Sequence, residues 1–187
     1  MILIISQPKA GTYLCANLLQ EFGFKFNGMH ISNKHFEKYD LSNLDDSRKN
    51  PLSYQHQNDL KNTLRLLDEN EIAVSHFPPK KQLCKLFCSI KKVYLTRNYE
   101  ERLNSYRRWL EKTSRPNKIP KNMSEKFHTY QNQWLLEGNL FHLEFNDMIH
   151  CNVNKIDGLQ KFLFSEIKYD SLKSITRAKN SPSLTKI

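Results

Sequence analysis

The sequence predicts an α/β protein: a mostly parallel sheet with helices on both faces, in a single domain over residues 1–187. Three observations carry that expectation. Short apolar or β-branched runs alternate along the chain with stretches of helical spacing. The first run, residues 2–5, passes through a tight turn at residues 6–12 and directly into helical spacing at residues 13–19. The chain has 187 residues, which suits one domain with a substantial core, and it contains no internal repeat or low-complexity tract.

The elements follow in order. Residues 2–5 are the first buried strand, and residues 13–19 the first helix, ended by Gly23 as its cap. Residues 24–28 alternate as a short strand. Residues 29–54 are polar, with Asn, Asp and Ser clusters and Pro51, and read as a long loop with helical pieces that shapes a pocket. His30, His35 and His56 lie in or near it and are given no role. Leu60, Leu64 and Leu67 set an amphipathic helix over 58–70. Residues 71–75 are a second buried strand. Pro78 and Pro79 end it, leaving His76 at its C-terminal edge, where open α/β sheets bind ligands.

Residues 80–89 form a short basic helix with Leu83, Leu86 and Phe87 on its apolar face. Residues 91–96 are the third strand and 99–112 a strong helix, on which Arg102, Arg107 and Arg108 read as a solvated face. Residues 114–123, with Pro116 and Pro120, are a second pocket-shaping loop. A helix over 124–136 has Phe127, Tyr130 and Trp134 as its core stripe. Gly138 and Asn139 turn the chain into a fourth strand, 140–145, and a helix follows over 154–164. The tail, 168–187, is polar and basic, with Leu172, Ile175 and Leu184 to anchor it.

A net charge of +10 implies anionic partners. The Lys and Arg residues are scattered and carry no nucleic-acid-binding fingerprint, so no nucleic-acid partner is expected. The four cysteines form no CxxC pair and no zinc spacing, which fits reduced thiols and no metal site. A strand beginning at Ile2 leaves no basic leader and no membrane anchor, so the expected location is the cytoplasm.

The chemistry is concentrated in the opening turn, Ser6-Gln7-Pro8-Lys9-Ala10-Gly11-Thr12. A strand, a loop and a helix N-terminus bind phosphate because backbone N–H groups and the helix dipole converge there. Lys9 adds a positive charge, Gly11 lets the backbone approach closely, and Thr12 offers a hydroxyl. The loop is not a Walker A motif, which needs a second glycine and a Lys-Ser/Thr pair after it. Here the lysine precedes a single glycine.

The run Pro8-Lys9-Ala10-Gly11-Thr12-Tyr13 resembles the PKSGTTW loop of sulfotransferases of the cytosolic and bacterial type that use the donor PAPS (3′-phosphoadenosine 5′-phosphosulfate). Three further segments resemble that family, in its order. Val74-Ser75-His76-Phe77-Pro78 is similar to KTHLP, in which the histidine is the general base; the family lysine is Val74 here. Imidazole suits that work because it titrates near neutrality. Val93-Tyr94-Leu95-Thr96-Arg97-Asn98 resembles the strand ending in ARNP, in which the Arg and a Ser eight residues later bind the donor's 3′-phosphate; Arg97 and Ser105 have that spacing. The planar guanidinium fork matches a phosphate. Phe141 to Met148 resembles the strand ending in YEDM or YEDL, making Phe145 the candidate for stacking near the adenine.

The resemblance implies a P-loop-like fold and sulfuryl transfer from PAPS to a hydroxyl or amine acceptor, a small molecule or glycan, with PAP as product and no metal. Lys9, Ala10, Gly11, Thr12 and Tyr13 would hold the 5′-phosphosulfate, with Lys9 also facing the leaving oxygen. The family's glycine-rich RKGxxGxWK segment has no copy, and Arg177 and Lys179 are the nearest substitutes. Two alternatives stand: a degenerate P-loop nucleotide kinase or NTPase, and a non-catalytic PAP- or PAPS-binding protein. Neither the acceptor nor the oligomeric state is written in the sequence.

Overall fold

The structure is a computed structural model that describes residues 1–31, 36–39, 51–56, 68–112 and 119–181. Its centre is β1 (Ile2–Ser6), buried along its whole length. A continuous apolar run of this kind suits a strand covered on both faces. β1 pairs in parallel with β5 (Ile72–Ser75) on one side and β6 (Lys91–Thr96) on the other, with Ile2 opposite both Ile72 and Lys91. β7 (Leu140–Glu144) extends the sheet beyond β6, and β2 (Met29–Ile31) extends it beyond β5, both in parallel. These five strands point their C-terminal ends to one edge.

The segment expected as a long loop over 29–54 corrects the sequence reading. It contains β2, then β3 (Phe36–Tyr39) and β4 (Pro51–His56), which pair antiparallel to complete the order β4-β3-β2-β5-β1-β6-β7. Outer strands like these are defined by backbone pairing and lack the apolar run of a central strand. The short strand expected over 24–28 reduces to one bridge, Lys25 to Glu71; Gly28, at φ 76°, turns the chain and the strand begins at Met29. Most of the helix expected over 58–70, much of the loop over 114–123, and Leu184 lie outside the described residues.

One face of the sheet is covered by α1 (Thr12–Glu21) with two helices from the far end of the chain, α6 (Val153–Phe164) and α7 (Ser171–Asn180). Cys15, Leu18, Leu19, Ile156, Leu159 and Ile175 pack there against Ile2, Ile4, Val74 and Val93. The other face is covered by α2 (Lys81–Leu86) and a 3-10 segment, Asn132–Leu136, where Leu83, Phe87 and Trp134 pack against Leu3, Ile5 and Tyr94. α3 (Tyr99–Lys112), α4 (Glu125–Gln131) and α5 (Phe145–Ile149) complete the helices named here.

The remaining differences from expectation are local. The helix over 124–136 tightens to 3-10 geometry at Asn132, which breaks the 3.6-residue period. Gln131 and Trp134 are therefore buried, while Tyr130 is exposed. The last strand ends at Glu144, whose N–H donates to Asp147 Oδ2 at 3.0 Å, so Phe145 opens a helix. The tail through residue 181 is docked more firmly than its composition implied. Asp170 caps α7, Ser171, Ser174, Ile175 and Ala178 are buried, and Leu172 faces solvent. Among the described residues no helix is long and apolar enough to cross a membrane.

Candidate active site

The opening turn lies at the C-terminal edge of β1. Gln7 N–H donates to Leu95 O (3.2 Å) and Ala10 N–H to Gln7 O (3.1 Å), which curls the loop back on its own strand. The Gln7 side chain donates to Asn132 Oδ1 at 2.8 Å and its Oε1 lies 3.4 Å from Arg97 N. Lys9 takes a left-handed conformation, φ 65°, unusual for a residue with a Cβ. Gly11 is left-handed too, at φ 91°, and a Cβ there would stand 2.6 Å from Phe145 Cδ2. Glycine is thus required for both conformation and space.

Ala10 is buried behind the turn. The first hydrogen bond of α1 runs from Cys15 N to Gly11 O at 3.0 Å. Amides earlier in that turn have no carbonyl of their own helix to bond, and with the helix dipole they make an anion cradle. Thr12 is buried, with Oγ1 2.7 Å from Ser6 Oγ. Tyr13 turns its ring towards β2, where its hydroxyl meets His30 Nε2 at 2.7 Å. The other ring nitrogen of His30 faces Gly28 O at 2.9 Å; burial pushes this imidazole down to about 3 and keeps it neutral.

His76 follows β5 and sits beside the turn. Its Nδ1 lies 2.9 Å from Ser6 O and 3.0 Å from Ser6 Oγ. A carbonyl can only accept, so Nδ1 carries the proton and Nε2 the lone pair. Gln131 Nε2 donates to His76 O at 2.8 Å, which fixes the backbone as well. Burial holds the imidazole below its ordinary value. The Ser6 carbonyl opposes that shift, while Arg102 and Lys9 reinforce it. His76 is therefore an oriented, neutral imidazole at physiological pH, the form of a proton acceptor.

The cations of the site are Arg97, just past β6, and Lys9 in the opening turn, with Phe145 just past β7 beside them. Arg97 Nε pairs with Glu101 at 3.0 Å, its Nη1 lies 3.5 Å from Lys9 O, and its guanidinium stacks 3.8 Å from the Phe145 ring. Phe145 is thus packed between Gly11 and Arg97, with one face taken by the guanidinium. Lys9 Nζ lies 5.7 Å over the Trp109 ring of α3. Ser105, on the same helix, is half-buried.

Arg177 and Lys179 make their contacts elsewhere in the fold. Arg177 pairs with Glu21 across 3.7 Å at the last residue of α1, and Lys179 donates to Ile149 O at 2.7 Å. The docking of α7 along α1 directs them there.

The sequence reading missed one residue. Arg107 and Arg108 face solvent as expected, but Arg102 is fully buried, and its Nη1 donates to Pro8 O at 3.1 Å. Its place seven residues before Trp109, on the helix stripe with Tyr106, is the signal that could have found it.

Among the described residues no cluster of three or more His, Cys, Asp or Glu side chains could hold a metal ion. Solved structures with similar folds include mouse sulfotransferase SULT7A1 complexed with PAP, at 14% identity and a TM-score of 0.62 over 95% of this chain. They also include retinol dehydratase in complex with androsterone and inactive cofactor PAP, at 15% identity and a TM-score of 0.55 over 96% of this chain. The chain spans 62% and 63% of the length of those two proteins. A search of curated proteins gives no match. The family model described as "Sulfotransferase domain" matches residues 1–180, and the chain therefore belongs to the sulfotransferase family.

Proposed function

We propose that this protein is a PAPS-dependent sulfotransferase in which His76 is the general base for an acceptor hydroxyl or amine. The observation that carries the reading is the hydrogen bond from His76 Nδ1 to Ser6 O, which leaves Nε2 unprotonated at the edge of the phosphate-binding turn. The amides at the start of α1 and the Lys9 ammonium would hold the 5′-phosphosulfate. Arg97 and Ser105 would hold the 3′-phosphate, and Phe145 would line the adenine side. The donor supplies the sulfuryl group and departs as PAP.

His76 Nε2 takes the proton from the acceptor as its oxygen or nitrogen bonds to sulfur and the bond from sulfur to the bridging oxygen breaks. Lys9 and the loop amides face the charge that develops on that bridging oxygen. Neutral imidazole is required at the start of this step, and the direction of its pKa shift favours it. The acceptor is proposed to be a hydroxyl- or amine-bearing small molecule or a glycan. Androsterone and retinol, bound in the structures of retinol dehydratase, are of the small hydroxylated class.

The test is transfer of labelled sulfuryl from PAPS to a panel of phenols, alcohols, amines and glycans, by the native protein and by His76→Ala. Transfer by the native protein, lost in the variant while PAP still binds, supports the assignment. Undiminished transfer by the variant eliminates His76 as base. Binding of ATP with magnesium but not PAP would move the protein to the kinase reading.

A further inference from the structure

The side chain of Arg102 is at odds with its surroundings in a way the donor-binding residues already described do not resolve. It is fully buried, and of its guanidinium donors only Nη1 has a partner, the carbonyl of Pro8. Nε and Nη2 are buried with no hydrogen-bond partner among the described residues. No carboxylate pairs with it among those residues; its charged neighbour is another cation, Arg97, and its other close groups are the Tyr94 and Tyr99 hydroxyls. Burial pulls its pKa down to about 10, which still leaves it charged at neutral pH. A buried, unpaired guanidinium is costly unless an anion completes it.

The position is specific. The Pro8 carbonyl ties the guanidinium to the turn itself, one residue before Lys9. The cation also lies close enough to His76 to depress its pKa. The same corner holds other buried polar atoms without partners. His128 Nδ1 is one, on a ring 5.8 Å from Tyr99, which in turn lies 5.9 Å from the Arg102 guanidinium. Gln131 Oε1 is another, on the side chain that holds the His76 carbonyl. Donors and acceptors from α3 and α4 thus lie in this corner with no hydrogen-bond partner among the described residues.

We propose that Arg102 is an anion-binding residue of the transfer site, donating through Nε and Nη2 to the non-bridging oxygens of the tetrahedral phosphosulfate group seated on the Pro8–Thr12 turn. This assignment deepens the sulfuryl-transfer reading and rests on it for the identity of the anion. It divides the cations by task. Arg97, stacked on Phe145 at the β6 tip, serves the 3′-phosphate, and Arg102, bonded to the turn, serves the 5′ end next to His76. Charge neutralisation at the sulfuryl oxygens then comes from a side chain on α3, while β5 presents the buried, apolar Val74.

The experiment compares native protein with Arg102→Gln, which keeps a donor for Pro8 O, and with Arg102→Lys, which keeps a charge without the fork. Binding of PAP and 3′-AMP is measured by calorimetry, and melting temperature with and without low-millimolar inorganic sulfate. Arg102→Gln is expected to weaken PAP about tenfold or more, as loss of a charge-assisted contact implies, and to leave 3′-AMP unchanged. It is also expected to melt no lower than native protein without ligand, because an unpaired buried charge has been removed, and to lose the rise given by sulfate. Arg102→Lys should recover part of both. Native affinity for PAP together with a native sulfate response in Arg102→Gln would overturn the assignment and leave the sulfuryl-transfer reading intact. So would a lower melting temperature with an unchanged sulfate response, which marks a purely structural arginine. An Arg102-dependent sulfate response in a protein that does not bind PAP would keep the anion site and remove the PAPS reading.

Discussion

The two strand tips that build the site are held by different physics. At the tip of β1 and β5, His76 is fixed by uncharged groups: the Ser6 carbonyl at 2.9 Å, the Ser6 hydroxyl at 3.0 Å, and Gln131 on its own carbonyl. At the tip of β6 and β7, Arg97 is fixed by charge and an aromatic face: Glu101 at 3.0 Å and Phe145 at 3.8 Å. The first arrangement orients a ring and keeps it neutral. The second holds a permanent cation in place while leaving donors of its fork for a ligand. Under the proposed roles proton transfer belongs to one tip and grip to the other, and substitutions at the two should separate turnover from affinity.

The largest separation is expected at His76. His76→Gln should lower turnover by about 10²- to 10⁴-fold, the range for loss of a general base, and leave PAP affinity unchanged in a calorimetric titration. Parallel loss of both would merge the tips into one function. Arg97→Ala is the mirror case. It should weaken PAP by about 2 kcal/mol, as for a charge-assisted contact, with a much smaller effect on 5′-AMP.

Gly11→Ala strikes the joint between the tips. Its left-handed backbone and the 2.6 Å approach to Phe145 predict about 1–3 kcal/mol of strain, read as a lower melting temperature and weaker PAP binding together. Ser6→Ala removes a hydroxyl shared by His76 and Thr12 but keeps the carbonyl that sets the tautomer. A loss near 1 kcal/mol in kcat/KM is expected, with the pH profile unshifted.

At neutral pH the smallest effect is electrostatic. His30 and His76 titrate lower in the folded chain than the ordinary value of 6.5. Below that value the unfolded chain binds protons that the folded one refuses, so stability rises with pH in this window. The contribution is full above about pH 6.5 and is lost as pH falls, for His30 down to about 3. Melting curves from pH 7 to pH 4 should show the decline, and His30→Asn should flatten it.

Much of this was legible because central parallel strands announce themselves. Ile2–Ser6 and Ile72–Ser75 are apolar runs cut off by turn or proline residues, and Val93, Tyr94 and Leu95 are the apolar centre of Lys91–Thr96, whose buried Lys92 composition does not announce. The helix at Tyr99–Lys112 was equally plain. The positions of His76 and Arg97 were locatable because each follows directly on one of those strands. β3 and β4 were hidden because outer strands are written in backbone pairing.

Arg102 was hidden for a related reason. A charged residue on a helix reads as solvated unless its stripe is traced to Trp109, and among the described residues no carboxylate pairs with this one to flag a buried cation. Arg177 and Lys179 are the nearest counterparts of the family's glycine-rich segment, and a likeness of sequence does not carry the docking of α7 along α1 that pairs them with Glu21 and Ile149 O.

The central claim is that an adenosine bearing phosphates at both its 3′ and 5′ positions is held between the two tips. Calorimetric titration of the native protein with PAP and with 5′-AMP addresses it most directly. The account predicts that PAP binds more tightly by about tenfold or more, through the contacts assigned to Arg97 and Ser105. Equal affinity for the two nucleotides would contradict it.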